Sequence, residues 1–288
     1  VDNLTLEAEN SGQTMTLDEF YNDHYLPYIK MHIKSYETNI SVFKNHILPK
    51  FRNSAMNDIT KKDIMQLHTN MVQKKKLAPA TANKVLIFIS HAFNVAMQLE
   101  IKGIEVNPAS KIKPYLLNNA RERYLTKDEA TRLIDAINQT EQNIHLKYII
   151  PMLILTGARR GEVLKAKHED FNLNQLCWTI PTSKSGKKRV LPITPQLLEL
   201  YNSIPKTNGE YLFASPVTGK SYVTIFTSWN SARIKAGLKD VRIHDLRHSF
   251  ASALVNNGRS LYEVQILLGH STSKMTQRYA HLSNESLM

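Results

Sequence analysis

The chain has 288 residues, and its 37 Lys and Arg residues against 25 Asp and Glu residues give a formal charge of +12. A hydrophobic content of 42% supports a sizeable core and excludes wholesale disorder, which needs few apolar side chains. The single cysteine, Cys177, excludes an internal disulfide framework and a cysteine-based zinc site. The apolar stretches fall far short of the ~18 residues of a membrane span, and no secretory signal is visible. We therefore expect a soluble, intracellular protein of about two domains.

The basic excess favours a polyanionic partner, because Lys and Arg gain affinity by releasing counterions from phosphates. Residues 1–113 hold 14 basic and 11 acidic side chains, whereas residues 114–288 hold 23 and 14. Most of the net positive charge therefore lies in the second part of the chain.

The first part of the chain is predicted to be helical after a short polar tail or linker remnant, residues 1–13. Residues 14–110 carry apolar side chains at helical spacing and end near Asn107-Pro108, a pair that disfavours helix. Helices are predicted from the capping pattern Thr16–Glu19 onward, over Ser35–His46, from Thr60 to about Gln73, and after Pro79. Residues 111–123 contain one Pro, two Asn and several charges, and they are predicted to be a linker.

Residues 124–288 are predicted to form a second domain that combines helices with a β-hairpin. Capping boxes at Thr126–Glu129 and Ser260–Glu263 indicate helix starts, and Gly269 indicates a helix end. The strand-prone segments Cys177–Ile180 and Arg189–Leu191 flank a basic loop. Further helices are predicted over Lys147–Leu155, from Pro195, near Val223–Ala236, over His244–Asn256 and over Met275–Leu282. The expected fold class is mainly α with a small β-hairpin or sheet, as a helical domain followed by a mixed α/β domain.

The cluster from His244 to His248 has three interpretations. The two histidines are four residues apart and could share a metal ion on one helix face, as in HExxH proteases. However, Arg247 between them keeps its positive charge and would repel a metal, and no third ligand is evident. His244 and Arg247 could instead bind a phosphate, for which the fork of Arg donors is suited. The third interpretation is an ordinary surface helix start, and the residues alone favour it as much as the phosphate site.

Two further basic segments also have alternative interpretations. Arg159 and Arg160 follow a buried helix, and they either cap its C-terminus and pair with Glu162 or place one guanidinium in a cleft. The basic tip of the hairpin is either a solvated loop or enters a nucleic-acid groove. Its basic residues are Lys184, Lys187, Lys188 and Arg189.

The C-terminal segment contains His270 and Tyr279. A lone His or Tyr near the end of a chain is more often packed than catalytic. A Tyr can nevertheless act as a covalent nucleophile when neighbouring groups stabilise its oxyanion.

The order of these motifs resembles that of the tyrosine recombinase (phage integrase) family. The motifs are T-G-x-R-x-x-E, a basic hairpin, H-x-L-R-H, L-L-G-H and T-x-x-Y-x-H, and the resemblance covers about Arg121 to Leu282. Thr14 to Pro108 is similar to the helical core-binding, DNA-binding domain of that family, on helix count and on the closing Asn107-Pro108. The resemblance implies that residues 124–288 are the catalytic domain.

The resemblance also implies a role for each matching residue. Arg159 would bind the scissile phosphate, with Glu162 supporting it, and the His244–Arg247 pair and His270 would contact the same phosphate. Tyr279 would be the nucleophile. The hairpin lysine that donates a proton to the leaving 5′ oxygen would be Lys184, with Lys187 and Lys188 as alternatives. Contacts with the DNA backbone would come from Arg160, Lys187, Lys188 and Arg189.

The activity implied by the resemblance is site-specific recombination of duplex DNA through a 3′-phosphotyrosyl intermediate, for integration or excision of a mobile element. It needs no cofactor and no metal ion. The implied partners are DNA with specific recombination sites and DNA-bending accessory proteins. The chain itself would be a monomer in solution and a homotetramer on synapsed DNA. The implied location is the cytoplasm, at the nucleoid when DNA is bound, with no membrane. Two alternatives are topoisomerase IB-like strand passage and a non-catalytic DNA-binding regulator of the same fold. His244 either takes the tyrosine proton or hydrogen-bonds to phosphate.

Overall fold

A computed structural model of the chain describes residues 15–117, 123–139, 143–181, 188–206 and 209–285. The chain divides into two compact units, Val1–Ala120 and Arg121–Met288, each with its own hydrophobic core. The division falls inside the segment 111–123. Within the described residues, no helix is long and apolar enough to cross a membrane.

The first unit is helical throughout its regular structure, as the sequence predicts. Its helices are α1 (Leu17–Phe20), α2 (Leu26–His32), α3 (Tyr36–Val42), α4 (Leu48–Phe51), α5 (Lys61–Gln73) and α6 (Pro79–Gln98). Thr16 and Thr60 form capping boxes at the first helix and at α5, and in each box the Thr hydroxyl and the third helical side chain satisfy backbone N–H groups reciprocally. Pro79 starts α6, where its missing N–H removes no intrahelical bond.

Two π-helical turns, Tyr21–Tyr25 and Phe43–Ile47, join neighbouring helical segments of the first unit. The Phe43 ring lies 5.1 Å from the Tyr21 ring and 4.9 Å from the Tyr25 ring, at the centre of the core. These wider turns were not predicted, because the apolar spacing of a single π turn is close to that of an α-helix.

The start of the predicted linker packs on the first unit. The Tyr115 ring stacks on His68 at 4.5 Å, and the side chain of Asn83 bonds to both the backbone N–H and the carbonyl of Tyr115 at 2.9 Å. Tyr115 is therefore held on the first unit by its own ring and by the amide of Asn83, and single residues of this kind show no periodicity in the sequence.

The second unit contains helices and a three-stranded antiparallel sheet, in agreement with the predicted fold class. The helices are α7 (Lys127–Asn138), α8 (Leu146–Thr156), α9 (Arg160–Leu164), α10 (Pro195–Ser203), α11 (Phe226–Lys235), α12 (Asp245–Asn256), α13 (Leu261–Leu268) and α14 (Ala280–Glu285). The strands, in sheet order, are β1 (Phe171–Asn172), β2 (Cys177–Ile180) and β3 (Arg189–Pro192). The predicted hairpin is confirmed as β2 and β3. Strand β1 was not predicted, because two residues are too few to show alternation.

The core of the second unit surrounds α8, which packs on α7, α10 and α12. A smaller apolar cluster joins α12, α13 and the C-terminal segment. Its buried members are Ala251, Val255, Val264, Leu268, Tyr279 and Leu282. This cluster fixes the position of the C-terminal segment against α12.

The C-terminal segment differs from its prediction. Instead of one helix over Met275–Leu282, it forms two 3₁₀ turns, Ser273–Met275 and Gln277–Tyr279, followed by α14. The break between the turns falls at Thr276, a buried residue whose hydroxyl bonds to the His270 ring.

Candidate active site

Arg159 lies in the three-residue connection between α8 and α9. Helix α8 ends at Gly157, which has a left-handed φ of 59°, and a Cβ there would lie 2.2 Å from Cδ1 of Phe250. Only glycine meets both conditions without rearrangement. Two residues later, the backbone N–H of Arg159 donates to Glu162 Oε2 at 2.7 Å, which fixes Arg159 at the start of α9.

Glu162 lies between two guanidinium groups. Its Oε1 accepts a hydrogen bond from Arg159 Nη1 at 3.0 Å, and its Oε2 accepts one from Arg189 Nη2 at 2.8 Å. The exposed fraction is 9% for the Glu162 side chain, 8% for Arg189 and 28% for Arg159. Charge-assisted bonds of this kind are short and directional, so Glu162 fixes both arginines, and Arg159 is the one that reaches solvent.

The C-terminus of α13 brings a third arginine into the same cluster. The carbonyl of Leu268 accepts hydrogen bonds from Arg189 Nη1 at 3.0 Å and from Arg247 Nη2 at 2.6 Å, and the carbonyl of Gly269 accepts one from Arg159 Nη2 at 3.3 Å. Carbonyls at a helix C-terminus lack intrahelical partners and carry partial negative charge. They therefore suit cations. We call Arg159, Arg189, Arg247 and Glu162 the arginine cluster.

The arginine cluster has three positive charges and one negative charge. Burial lowers the pKa of Arg247 to about 9, and repulsion from Arg159 and Arg189 contributes to the same shift. Burial also lowers the pKa of Arg189, against the opposing attraction of Glu162. An anion bound beside these groups would relieve this repulsion, which makes the cluster suited to a phosphate.

Two of the predicted histidines lie around the cluster. His270 follows Gly269, and its Nδ1 lies 2.8 Å from the Thr276 hydroxyl. Burial, followed by repulsion from Arg247 and Arg159, lowers the pKa of His270 to about 4. His244 directly precedes α12, and partial desolvation of its ring, followed by repulsion from Arg247, lowers its pKa. Both rings are therefore neutral at pH 7, and each can donate one hydrogen bond.

Tyr279 is buried, with 5% of its surface exposed, and burial raises its pKa while Arg278 and Arg247 oppose that shift. Its hydroxyl lies 2.5 Å from Nδ1 of His248. Burial and the neighbouring His244 and Arg278 lower the pKa of His248 to about 4. The family resemblance assigned no role to His248, which the sequence suggested only as a metal ligand together with His244, four residues earlier on the same helix face.

One predicted DNA contact needs correction. Arg189 is not exposed at the hairpin but buried in the arginine cluster. The reason is the alternation of β3, in which Arg189 and Leu191 face inward and Val190 faces solvent.

Of the other predicted contacts, Arg160 and Lys188 are exposed, while Lys184 and Lys187 lie outside the described residues. Arg160 lines a cleft together with Arg233, Lys239 and Arg242. In the described part of the chain, no group of three or more His, Cys, Asp or Glu side chains is arranged to hold a metal ion.

Comparison with known proteins identifies the family. Residues 123–286 match the phage integrase family, and residues 16–72 match the N-terminal SAM-like domain of phage integrases. Because the first match spans more than half of the chain, the chain belongs to the phage integrase family, the tyrosine recombinases. The resemblance inferred from the order of the motifs is thereby confirmed.

Similar proteins cover most of the chain. A tyrosine recombinase of Thermosipho africanus is 25% identical over 280 residues, which is 93% of this chain and 95% of that protein. The integrase of Escherichia phage 186 is 29% identical over 74% of this chain, and this chain spans only 60% of that protein. Among solved structures, a lambda integrase tetramer bound to a Holliday junction has a TM-score of 0.74 at 20% identity, over 92% of this chain and 80% of that chain. The structural likeness concerns the fold.

Proposed function

We propose that this recombinase cleaves and rejoins duplex DNA with Tyr279 as the nucleophile and the arginine cluster as the phosphate site. The observation that carries the proposal is the excess of positive charge in a cluster that bonds to Gly269, the residue before His270 and ten residues before Tyr279. The three arginines themselves supply the positive charge that stabilises a bound phosphate, so the proposed chemistry needs no metal ion for this purpose.

The chemistry is a reversible exchange of phosphodiester bonds. The Tyr279 oxygen attacks phosphorus while its proton passes to a neighbouring histidine, and a 3′-phosphotyrosyl bond forms. The bond from phosphorus to the 5′ oxygen breaks, and that oxygen takes a proton from Lys184 or a neighbouring lysine, Lys187 or Lys188. A 5′-hydroxyl from another duplex then reverses the step. Because one phosphate ester replaces another, no external energy source is consumed.

Each residue around the phosphate has a separate task. Arg159 and Arg247 stabilise the charge that builds on the non-bridging oxygens, and donors of this kind are worth ~10²–10³ in rate each. His270 supplies a further hydrogen bond to the phosphate, and His244 either does the same or takes the tyrosine proton. Glu162 holds Arg159 in place.

The proposed partner is duplex DNA that carries specific recombination sites, with four copies of the chain on synapsed DNA, a monomer in solution and DNA-bending accessory proteins. The basic charge of the second part of the chain supports this, and lambda integrase, which has the same fold, has been solved as a tetramer on a Holliday junction. The proposed role is integration or excision of a mobile element, in the cytoplasm at the nucleoid.

The test is a suicide duplex that is nicked near the cleavage site, incubated with the protein in EDTA. The duplexes are drawn from the DNA that flanks the gene. A covalent adduct that maps to Tyr279 by mass spectrometry is expected, and Tyr279→Phe should bind the same DNA without forming it.

Three outcomes would contradict the proposal. They are cleavage by Tyr279→Phe, inhibition of cleavage by EDTA, and absence of an adduct on DNA that the protein binds.

A further inference from the structure

His248 contacts the reacting oxygen of the proposed nucleophile. Its Nδ1 lies 2.5 Å from the Tyr279 hydroxyl, and the two ring centres are 5.9 Å apart. His248 belongs to α12, and Ala251 and Val255 of the same helix pack in the apolar cluster that contains Tyr279. The contact therefore joins two elements whose relative position is already fixed by packing.

The direction of this hydrogen bond depends on which ring nitrogen of the neutral His248 carries the proton. At neutral pH the Tyr279 hydroxyl keeps its proton, because burial raises its pKa. His248 is neutral, because its pKa lies near 4, and a neutral imidazole has one nitrogen that accepts. With Nδ1 as that nitrogen, the Tyr279 hydroxyl donates to it and the proton of His248 lies on Nε2.

His244, the histidine that the sequence offered as a proton acceptor, has a different position. Its ring meets the His248 ring edge-on at 5.1 Å, and the side chain is exposed. Among the hydrogen bonds of the described residues, the Tyr279 hydroxyl is joined to His248 and not to His244. His248 therefore contacts both groups, with its ring against His244 on one side and its Nδ1 against the Tyr279 hydroxyl on the other.

Solvent has little room to replace this acceptor. The cavity beside the contact has a volume of about 20 Å³ and is lined by Tyr124, Ser252, Arg278 and Leu282 among others. That volume holds about one water molecule. Loss of the imidazole would leave the buried phenol with no fixed acceptor on that side.

We infer that His248 is a positioning residue for the nucleophile, whose Nδ1 holds the Tyr279 hydroxyl and thereby sets the position from which the phenol oxygen attacks. The inference rests on the proposed function, since it takes Tyr279 as the nucleophile. Misplacement of a reacting atom by about 1 Å can cost ~100-fold in rate. Removal of the acceptor should therefore reduce the cleavage rate and leave DNA affinity unchanged.

The experiment measures single-turnover cleavage of the suicide duplex at saturating protein. His248→Leu keeps the volume of the side chain and removes the acceptor, whereas His248→Asn places an amide oxygen near the position of Nδ1 and cannot take up a proton. We expect His248→Leu to cleave about 10- to 100-fold more slowly with unchanged Kd for DNA, and His248→Asn to recover most of that loss. His281→Leu, a change at an exposed histidine of the same cavity, is the matched control and should cleave like the unmodified protein.

Three results would overturn the inference. Wild-type rates in His248→Leu would show that the contact does not position the nucleophile. Equal losses in His248→Leu and His248→Asn would show that the imidazole contributes something other than a hydrogen-bond acceptor. Faster cleavage by His248→Leu would show that the contact restrains the tyrosine.

A second measurement needs no catalysis and separates this inference from the proposed function. Nitrogen NMR of the histidine rings reports which ring nitrogen accepts a hydrogen bond, and Tyr279→Phe should shift the Nδ1 signal of His248. An unchanged signal overturns the inference even if Tyr279 forms the adduct. A shifted signal together with an adduct at another residue overturns the role of Tyr279 and with it the positioning role. Thermal unfolding of each variant distinguishes a loss of fold from a loss of rate.

Discussion

At the scale of single residues, Glu162 determines the geometry of the arginine cluster. It is the one carboxylate that contacts both Arg159 and Arg189 among the described ion pairs, and its side chain is almost fully buried. Removing one partner from a buried ion pair costs more than the pair contributes, because the other charge stays buried without compensation. Glu162 therefore stabilises the fold by pairing with the buried Arg189, and it also positions Arg159, the proposed phosphate ligand.

Glu162→Gln keeps the shape of the side chain and removes its charge. We expect the free energy of unfolding to fall by about 3 kcal/mol, because the buried guanidinium of Arg189 loses its counterion. The cleavage rate should fall as well, since Arg159 is no longer held. Urea unfolding and the suicide-duplex assay measure the two effects.

Glu169→Gln is the control for this prediction, because Glu169 pairs with Lys167 at the surface and such pairs contribute little. Equal stability of Glu162→Gln and Glu169→Gln would contradict the importance of the buried pair.

At the scale of elements, the end of α13 organises the site. Gly269 has a φ of 63°, and a Cβ at this position would lie 2.8 Å from Nη1 of Arg189. The residue thus ends the helix in a left-handed conformation and leaves room for the guanidinium beside it. The carbonyl groups of Leu268 and Gly269 then face the arginines.

Gly269→Ala should lower stability and cleavage through two effects. The left-handed conformation costs an L-residue roughly 1–2 kcal/mol, and the new methyl group must displace Arg189. Gly258→Ala is the matched control, because Gly258 has a φ of 77° and open space around it. We expect Gly269→Ala to lose more unfolding free energy than Gly258→Ala and to cleave more slowly. Equal losses in both variants would mean that the contact with Arg189 adds nothing.

Local signals predicted much of the element order. The capping patterns at Thr16, Thr126 and Ser260 and the glycine at 269 marked helix ends correctly, because the groups that satisfy each helix end are within four residues of it. Strand β1 and the 3₁₀ turns of the C-terminal segment were missed, since elements of two or three residues are too short to show a periodicity.

The sequence also predicted part of the candidate site. The motif order brought Arg159, Glu162 and Arg247 into one hypothesis, and the structure gathers them into one cluster. The contact between His248 and Tyr279 spans 31 residues, and that between Arg189 and Leu268 spans 79, so no local pattern reveals them. The roles of these residues in catalysis stay predictions.

At the scale of the whole molecule, each unit has a core of its own, which is the property of a domain that folds independently. Most of the net positive charge belongs to the second part of the chain, and the family match over residues 123–286 covers that part. The second unit should therefore contribute the larger share of the DNA affinity.

A fragment of residues 123–288 should fold and bind DNA more weakly than the full chain. We expect one cooperative unfolding transition, because the core cluster around α8 contains residues of this unit alone. Each phosphate contact contributes about −0.9 to the slope of log affinity against log salt concentration, so the slope for the fragment should be shallower. Anisotropy titrations over a salt series measure it. Equal slopes would mean that the first unit makes no phosphate contacts, and an unfolded fragment would refute independent folding.

The unbalanced charge of the arginine cluster links the stability of the second unit to its ligand. The three guanidiniums of the cluster share one carboxylate and repel one another. This repulsion lowers the free energy of unfolding of the free protein, and a bound phosphate would offset it. By mass action, a ligand that binds only the folded state raises the free energy of unfolding in proportion to the logarithm of its concentration over its Kd. The second unit should therefore resist heat and proteolysis better when DNA is bound than when it is free. Dissociation of the DNA should remove that added stability.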